Sequence, residues 1–108
     1  LLVLDAGLRI VSANGAFYRM FRVSPPQTEK IMLYELGNGQ WDIPELRRLL
    51  GEILPQHIEM QDFHVAHTFP AIGRKVMLLN ARQVQRPGNR PPLILLAFED
   101  VTGREGHE

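Results

Sequence analysis

The chain has 108 residues, enough for one hydrophobic core and too few for two, so a single domain is expected. Its 12 basic and 12 acidic residues cancel, which leaves no electrostatic footprint for nucleic acid or an anionic membrane. The absence of cysteine excludes disulfides, thiolate metal sites and cysteine nucleophiles. No apolar run approaches the roughly 20 residues that span a bilayer, and no stretch has the pattern of a signal peptide. Because the chain opens inside an apolar run without an initiator Met, we expect a domain excised from a longer cytoplasmic protein.

The first part of the chain predicts a β-hairpin followed by a short helix. Residues 1–4 and 8–13 have the apolar pattern of two short strands, and Asp5-Ala6-Gly7 between them is typical of a tight turn. Asn14 is a suitable N-cap for a helix over residues 15–21. Three apolar side chains share one face of that helix, namely Phe17, Met20 and Phe21.

Two further helices are predicted from their caps. Ser24-Pro25-Pro26-Gln27 places Ser at the N-cap, Pro at the first helical position and Gln at the third, which predicts a helix over 25–30. Asp42 with Glu45 three residues on predicts another capping box, at the start of the longest helix, which should end at Pro55. The apolar residues of that helix recur at helical spacing: Ile43, Leu46, Leu49, Leu50, Ile53 and Leu54.

Three strands are predicted in the last part of the chain. Residues 62–69 alternate between polar and apolar, residues 74–84 are apolar from Val76 to Leu79, and residues 93–98 are apolar throughout. Hairpin-length loops join them. Two strands, then helices, then three strands predict an α+β fold, with short helices on one face of a five-stranded antiparallel sheet.

The last strand is predicted to lie inside the sheet because both of its faces are apolar. Ile94, Leu96 and Phe98 should point toward the helices. The opposite face of the sheet, called the outer face below, is too apolar for water and predicts an interface with a flanking helix or a second protomer. Its predicted members are Val76, Leu78, Leu93, Leu95 and Ala97, together with Leu1 or Leu2.

Two motifs resemble those of the PAS sensory domains. Residues Leu4 to Asn14 are similar to the opening hairpin and helix-capping Asn of that family, and Glu99-Asp100-Val101-Thr102 is similar to its closing Asp-Ile-Thr motif, with Val for Ile. Residues 36–46 and 69–82 resemble the PAS modules of bacterial sensor histidine kinases, including those fused to chemotaxis methyltransferase and methylesterase domains. The resemblance covers nearly the whole chain and implies the sheet order 2-1-5-4-3.

The resemblance implies a non-catalytic sensory and signal-relay module of a histidine kinase in two-component signal transduction. Residues 1–102 would form the PAS domain, and 103–108 would begin a linker or signalling helix to an output kinase domain in cis. Asp100 and Thr102 would relay a change in the sheet to that output, with Thr102 able to cap the following helix. The alternative is a purely structural dimerisation module without a small-molecule ligand. A homodimer through the outer face or flanking helices fits both.

A small-molecule cavity would lie between the helices and the sheet. The competing interpretation is a filled core, which the many large side chains favour. His67 is turned inward by strand parity, either as a core residue with one hydrogen bond or as a polar contact for a ligand. As an inward-facing titratable group it is also the only candidate for an acid or base in an enzyme. The candidate cavity residues are Phe17, Phe21, Trp41, Leu50, Ile53, His67, Met77, Leu79, Leu96 and Phe98.

No metal or cofactor is predicted. Without Cys, the resemblance excludes the cysteine-based light chemistry of the flavin and xanthopsin branches, and haem is disfavoured because the long helix carries no His and His57 lies beyond Pro55. His64 and His67 face opposite sides of a strand and cannot chelate one ion without a bulge. Gly37-Asn38-Gly39 lacks the preceding strand and third Gly of a nucleotide cradle, so it predicts a turn with positive φ.

Overall fold

A computed structural model describes residues 1–103 as one five-stranded antiparallel sheet with short helices on one face. The order β2-β1-β5-β4-β3 confirms the predicted order and places the last strand at the centre. The expected linker falls almost wholly on residues 104–108, which lie outside the described part of the chain. The strands are β1 (Leu2–Leu4), β2 (Ile10–Ala13), β3 (Glu59–Phe69), β4 (Gly73–Val84) and β5 (Leu93–Asp100).

The opening hairpin and the first helix are held by two polar side chains. Asp5 Oδ1 accepts hydrogen bonds from the backbone N–H groups of Gly7 and Arg9, both at 2.9 Å, which fixes the β1–β2 turn. Helix α1 (Gly15–Phe21) begins as predicted, because Asn14 Oδ1 accepts from the Phe17 N–H at 3.0 Å.

Helix α2 (Pro25–Thr28) is shorter than the predicted helix over 25–30, because Glu29 is already extended. Its predicted start is confirmed: the Ser24 N–H donates to Gln27 Oε1 at 3.0 Å. A 3₁₀ turn (Leu33–Glu35) and a short helical turn, α3 (Leu36–Gly39), follow it.

The predicted positive-φ turn at Gly37-Asn38-Gly39 is confirmed, with φ of 60°, 61° and 84° along the three residues. Gln40 fills the space beside Gly37: a Cβ on Gly37 would lie 1.9 Å from Gln40 Nε2. The positive φ therefore favours glycine at position 37, and a larger residue there would also have to displace the Gln40 side chain.

Helix α4 (Pro44–Arg48) starts one residue later than predicted. Asp42 would be the N-cap only if Ile43 were the first helical residue. Pro44 disfavours the helical conformation in the residue before it, and Ile43 is indeed extended. The capping box expected from Asp42 is therefore wrong. Asp42 instead makes an ion pair with Arg47, in which Arg47 Nη2 donates to Asp42 Oδ2 at 2.9 Å.

The helix ends near Pro55, as predicted, but it is not a regular α-helix up to that point. Helical structure continues as a π turn (Leu49–Ile53) and a 3₁₀ turn (Leu54–Gln56) that includes Pro55. Pro55 lacks an N–H and its ring crowds the carbonyl four residues earlier. The chain widens at this point, and the Leu54 N–H donates to the Leu49 carbonyl, five residues back.

The main core lies between the helices and the inner face of the sheet. Strand β3 begins at Glu59, earlier than predicted, and has an irregular register between Met60 and Phe63. Of the two N-terminal leucines, Leu2 is buried in the core whereas Leu1 is 42% exposed. Within residues 1–103, no helix has the length and apolar character needed to cross a membrane.

Candidate functional site

The end of β5 is completed by the two residues that follow it. The last residue pair of the β4–β5 ladder is Met77 with Asp100. Beyond it, the Val101 N–H donates to the Val76 carbonyl at 2.8 Å, and the Val76 N–H donates to Thr102 Oγ1 at 2.9 Å. The threonine hydroxyl thus supplies the acceptor that another strand residue would otherwise have provided.

Asp100 ties this end of the sheet together. Its Oδ1 accepts from the Thr102 N–H at 2.9 Å and from the Thr102 hydroxyl, and its Oδ2 lies 3.2 Å from the Lys75 ammonium nitrogen. Burial acts to raise the pKa of Asp100, but the hydrogen bonds from Thr102 and then Lys75 outweigh it, so the pKa lies below its ordinary value. We call Lys75, Val76, Asp100 and Thr102 the exit cluster. The helix that Thr102 was expected to cap lies outside the described residues.

Most of the candidate cavity residues pack against one another. Trp41 is 1% exposed, and its ring centroid lies 4.6 Å from that of Phe21, 5.0 Å from Phe69 and 5.5 Å from Phe98. Phe17 adds a ring 4.9 Å from Phe21. These five rings, the aromatic cluster, have the spacing of a filled core. Phe69 was missed as a member, although it has the same inward strand parity as His67.

The other candidates lie around this cluster. Leu50, Met77, Leu79 and Leu96 are buried in the same core, and Ile53 is half-buried beside it. His67 is half-buried, and its ring centroid lies 4.8 Å from that of Phe69. No hydrogen bond joins its imidazole to residues 1–103, and it also lines a surface groove beside Thr68, so its role as a core residue or as a ligand contact stays a prediction.

The three histidines within residues 1–103 lie apart from one another. His64 is exposed and His67 lies on the opposite face of β3, as strand parity predicts. His57 Nδ1 lies 2.7 Å from the Ile53 carbonyl oxygen on the exposed end of the helical region. Among residues 1–103, no three His, Asp or Glu side chains are close enough to hold one ion.

The outer face is apolar along β5 but less uniform than predicted. Leu78, Leu93, Leu95 and Ala97 are half-buried. Val76 was predicted to belong to this face, but it is 0% exposed and cannot contact a partner. Val101 and Thr102 are hydrogen-bonded to its backbone. The pairing of Asn80 with Ala97 and of Arg82 with Leu95 places two polar residues on the same face, which the apolar pattern did not predict. Val3, paired with Leu95, was also missed.

Comparison with known proteins supports the family assignment. The family model described as PAS fold matches residues 1–106, whereas a comparison with curated proteins finds no match. Among solved structures, the chain is similar to the LOV protein of Rhodobacter sphaeroides, with 21% identity and a TM-score of 0.72 over 98% of this chain. This chain spans only 60% of the length of that one.

Two further solved structures are PAS domains. The domain from BvgS of Bordetella pertussis has 17% identity and a TM-score of 0.70, with 98% of this chain and 79% of that chain covered. The domain of nitrogen regulation protein NR(II) from Vibrio parahaemolyticus has 23% identity and a TM-score of 0.61, with 93% and 86% covered. These similarities show the fold. Together with the family model, they show that the chain belongs to the PAS fold family, whose members are in general non-catalytic sensory modules.

Proposed function

We propose that this chain is the signal-relay module of a bacterial sensor histidine kinase in a two-component system. It senses through its core or its outer face and passes the change to an output kinase domain that follows it in the same chain. The similarity to the PAS domain of a nitrogen regulation protein supports a regulatory role. The neutral net charge supports contacts with protein rather than with nucleic acid or an anionic membrane, and a cytoplasmic location is part of the proposal.

The exit cluster is the observation that carries this proposal. It joins the end of the central strand to β4 through the ion pair between Lys75 and Asp100 and through the Thr102 hydroxyl. Any shift of β5 along β4 strains these contacts, and the chain leaves the sheet directly after them. A change in the sheet therefore reaches whatever follows residue 103 through a small set of directional bonds.

Dimerisation is proposed through the outer face. Leu93, Leu95 and Ala97 form an apolar stripe on the central strand, and Leu78 lies beside them on β4. Burying such a stripe against a second copy removes it from water. The polar Arg82 beside Leu95 would set the register of the two copies.

The relay is tested by Asp100→Ala in the full-length parent protein. We expect the autophosphorylation rate of the kinase to stop responding to its stimulus while the domain remains folded by circular dichroism. Asp5→Ala is the matched control, because Asp5 also accepts two backbone hydrogen bonds but lies in the β1–β2 turn. Normal stimulus control in Asp100→Ala, or equal loss in both variants, would contradict the relay.

The second candidate function is a dimerisation module without a ligand, and the filled aromatic cluster favours it. Native mass spectrometry of the purified chain separates the two. A dimer that retains no small molecule supports the structural module, whereas a retained small molecule supports the sensor.

A further inference from the structure

A surface groove of about 330 Å³ lies at the opposite end of β5 from the exit cluster. The β1–β2 turn forms one wall, the π turn and the 3₁₀ turn form another, and the start of β5 and the end of β4 form the floor. A closed apolar cavity of about 150 Å³ holds benzene, so the volume of this groove, which is open to solvent on one side, is sufficient for one ring or two. We call it the side groove; its lining includes Ala6, Leu8, Leu50, Gly51, Gln83 and Ile94.

Gln83 is the one polar side chain in this lining, and its orientation is fixed. Its Nε2 donates to the Leu54 carbonyl at 2.7 Å and to the His57 carbonyl at 3.1 Å. Both donor hydrogens are therefore used, and the two carbonyl partners determine which end of the amide is nitrogen. Gln83 Oε1 accepts no hydrogen bond from any side chain or backbone group of residues 1–103. This free acceptor belongs to a residue that lines the side groove, and the other side chains of the lining are apolar.

The π turn keeps the side groove open. Such turns occur frequently at functional sites, and this one is widened by Pro55. Gly51 lies within the turn and lines the groove without a side chain, and a Cβ built on it would meet no atom within 4 Å. The groove is open at Gly51 because this residue has no side chain. No neighbouring atom is close enough to exclude a larger residue at this position.

We infer that the side groove binds a flat aromatic molecule of one or two rings that carries a single N–H or O–H donor. The rings would lie against Leu8, Leu50 and Ile94, and the donor would meet Gln83 Oε1. The sensory meaning of this site rests on the proposed function, since Ile94 and Asp100 are six residues apart on the same central strand, or about 20 Å. Binding itself does not depend on it.

Indole is the probe, titrated into the ¹⁵N-labelled 108-residue chain and followed by NMR. We expect saturable shifts concentrated at the amides of Leu8, Gly51, Gln83 and Ile94. The donor is tested with 1-methylindole, which lacks the N–H and should bind about 5-fold more weakly, the effect of one hydrogen bond. Equal affinity for the two probes, or shifts scattered over the whole surface, would overturn the inference.

Filling variants test the location. Gly51→Leu should abolish saturable binding, and Ala6→Leu, which narrows the groove from the other wall, serves if Gly51→Leu does not fold. Ala71→Leu is the matched control, because Ala71 lines a different surface groove near His67, and it should bind indole like the original chain. Unchanged binding in Gly51→Leu and Ala6→Leu would refute the site.

The same titration separates this inference from the proposed function. Asp100→Ala removes contacts of the exit cluster and leaves every residue that lines the side groove in place, so saturable binding of indole should remain. If indole does not bind while Asp100→Ala still uncouples the kinase, the side groove fails and the relay stands. If indole binds and Asp100→Ala leaves stimulus control intact, the relay fails and the side groove stands.

Discussion

Replacing Thr102 with valine removes one hydroxyl from the exit cluster while keeping a β-branched side chain of similar shape. Val76 is 0% exposed, and its N–H then loses the acceptor that now lies 2.9 Å away. An unsatisfied buried N–H costs about 1–3 kcal/mol. Asp100 also loses the hydroxyl donor, but water replaces it at this half-exposed carboxylate and little is added. We expect Thr102→Val to lower the free energy of unfolding by about 2 kcal/mol.

Urea denaturation of the 108-residue chain measures this loss, which corresponds to a fall in Tm on the order of 10 °C for a domain of this size. Hydrogen exchange at the Val76 amide provides the local readout and should become faster. Thr102→Ser keeps the hydroxyl and is the control, with a change of no more than about 0.5 kcal/mol. A Thr102→Val variant as stable as the original, with the Val76 amide equally protected, would refute the role of the hydroxyl.

Two further predictions concern charge and backbone conformation. Because the pKa of Asp100 is lowered in the folded state, its contribution to stability is present above about pH 4 and lost as the pH falls through the folded-state pKa. In urea titrations at pH 6, Asp100→Asn should therefore be less stable than the original chain, and the difference in unfolding free energy should shrink toward acid pH. A difference that does not change with pH would count against the ion pair. Gly37→Ala and Gly88→Ala both place alanine at positive φ, at about 1–2 kcal/mol each, but only the Gly37 variant also meets Gln40. Thermal melts should rank Gly37→Ala as the less stable, and equal values would mean that Gln40 moves aside freely.

The parts of the fold that could be predicted depend on interactions between residues close in sequence, or on the alternation of side chains between the two faces of a strand. The caps at Asn14 and Ser24 act across three residues, so the sequence alone specifies them. Residues 93–98 are apolar on both faces of the strand, so both faces were expected to be buried and the strand to lie inside the sheet. The sheet order confirms this position. Strand parity likewise separated Ile94 and Leu96 from Leu93 and Leu95 correctly.

The errors arose where two local rules competed or where a distant segment intervened. The helix after Asp42 fits a capping box, but the restriction that Pro44 imposes on the preceding residue is stronger. Val76 has the parity of an outer-face residue, yet it is fully buried, and Thr102, which follows β5, accepts a hydrogen bond from its backbone N–H. The partner of Asp100 could not be predicted because Lys75 is 25 residues away, and only the sheet register brings the two together.

The filled aromatic cluster constrains how this domain can respond to a signal. A close-packed core transmits displacement because it cannot be compressed locally. Since Phe98 belongs both to the cluster and to β5, a shift of the central strand must move the rings or be prevented by them. Along β5, the side groove contacts the strand at Ile94, before Phe98, and the exit cluster binds the strand at Asp100, after Phe98. A ligand that alters the position of Ile94 would therefore act on Asp100 through the movement of β5 as a rigid element, with no cavity needed in the core.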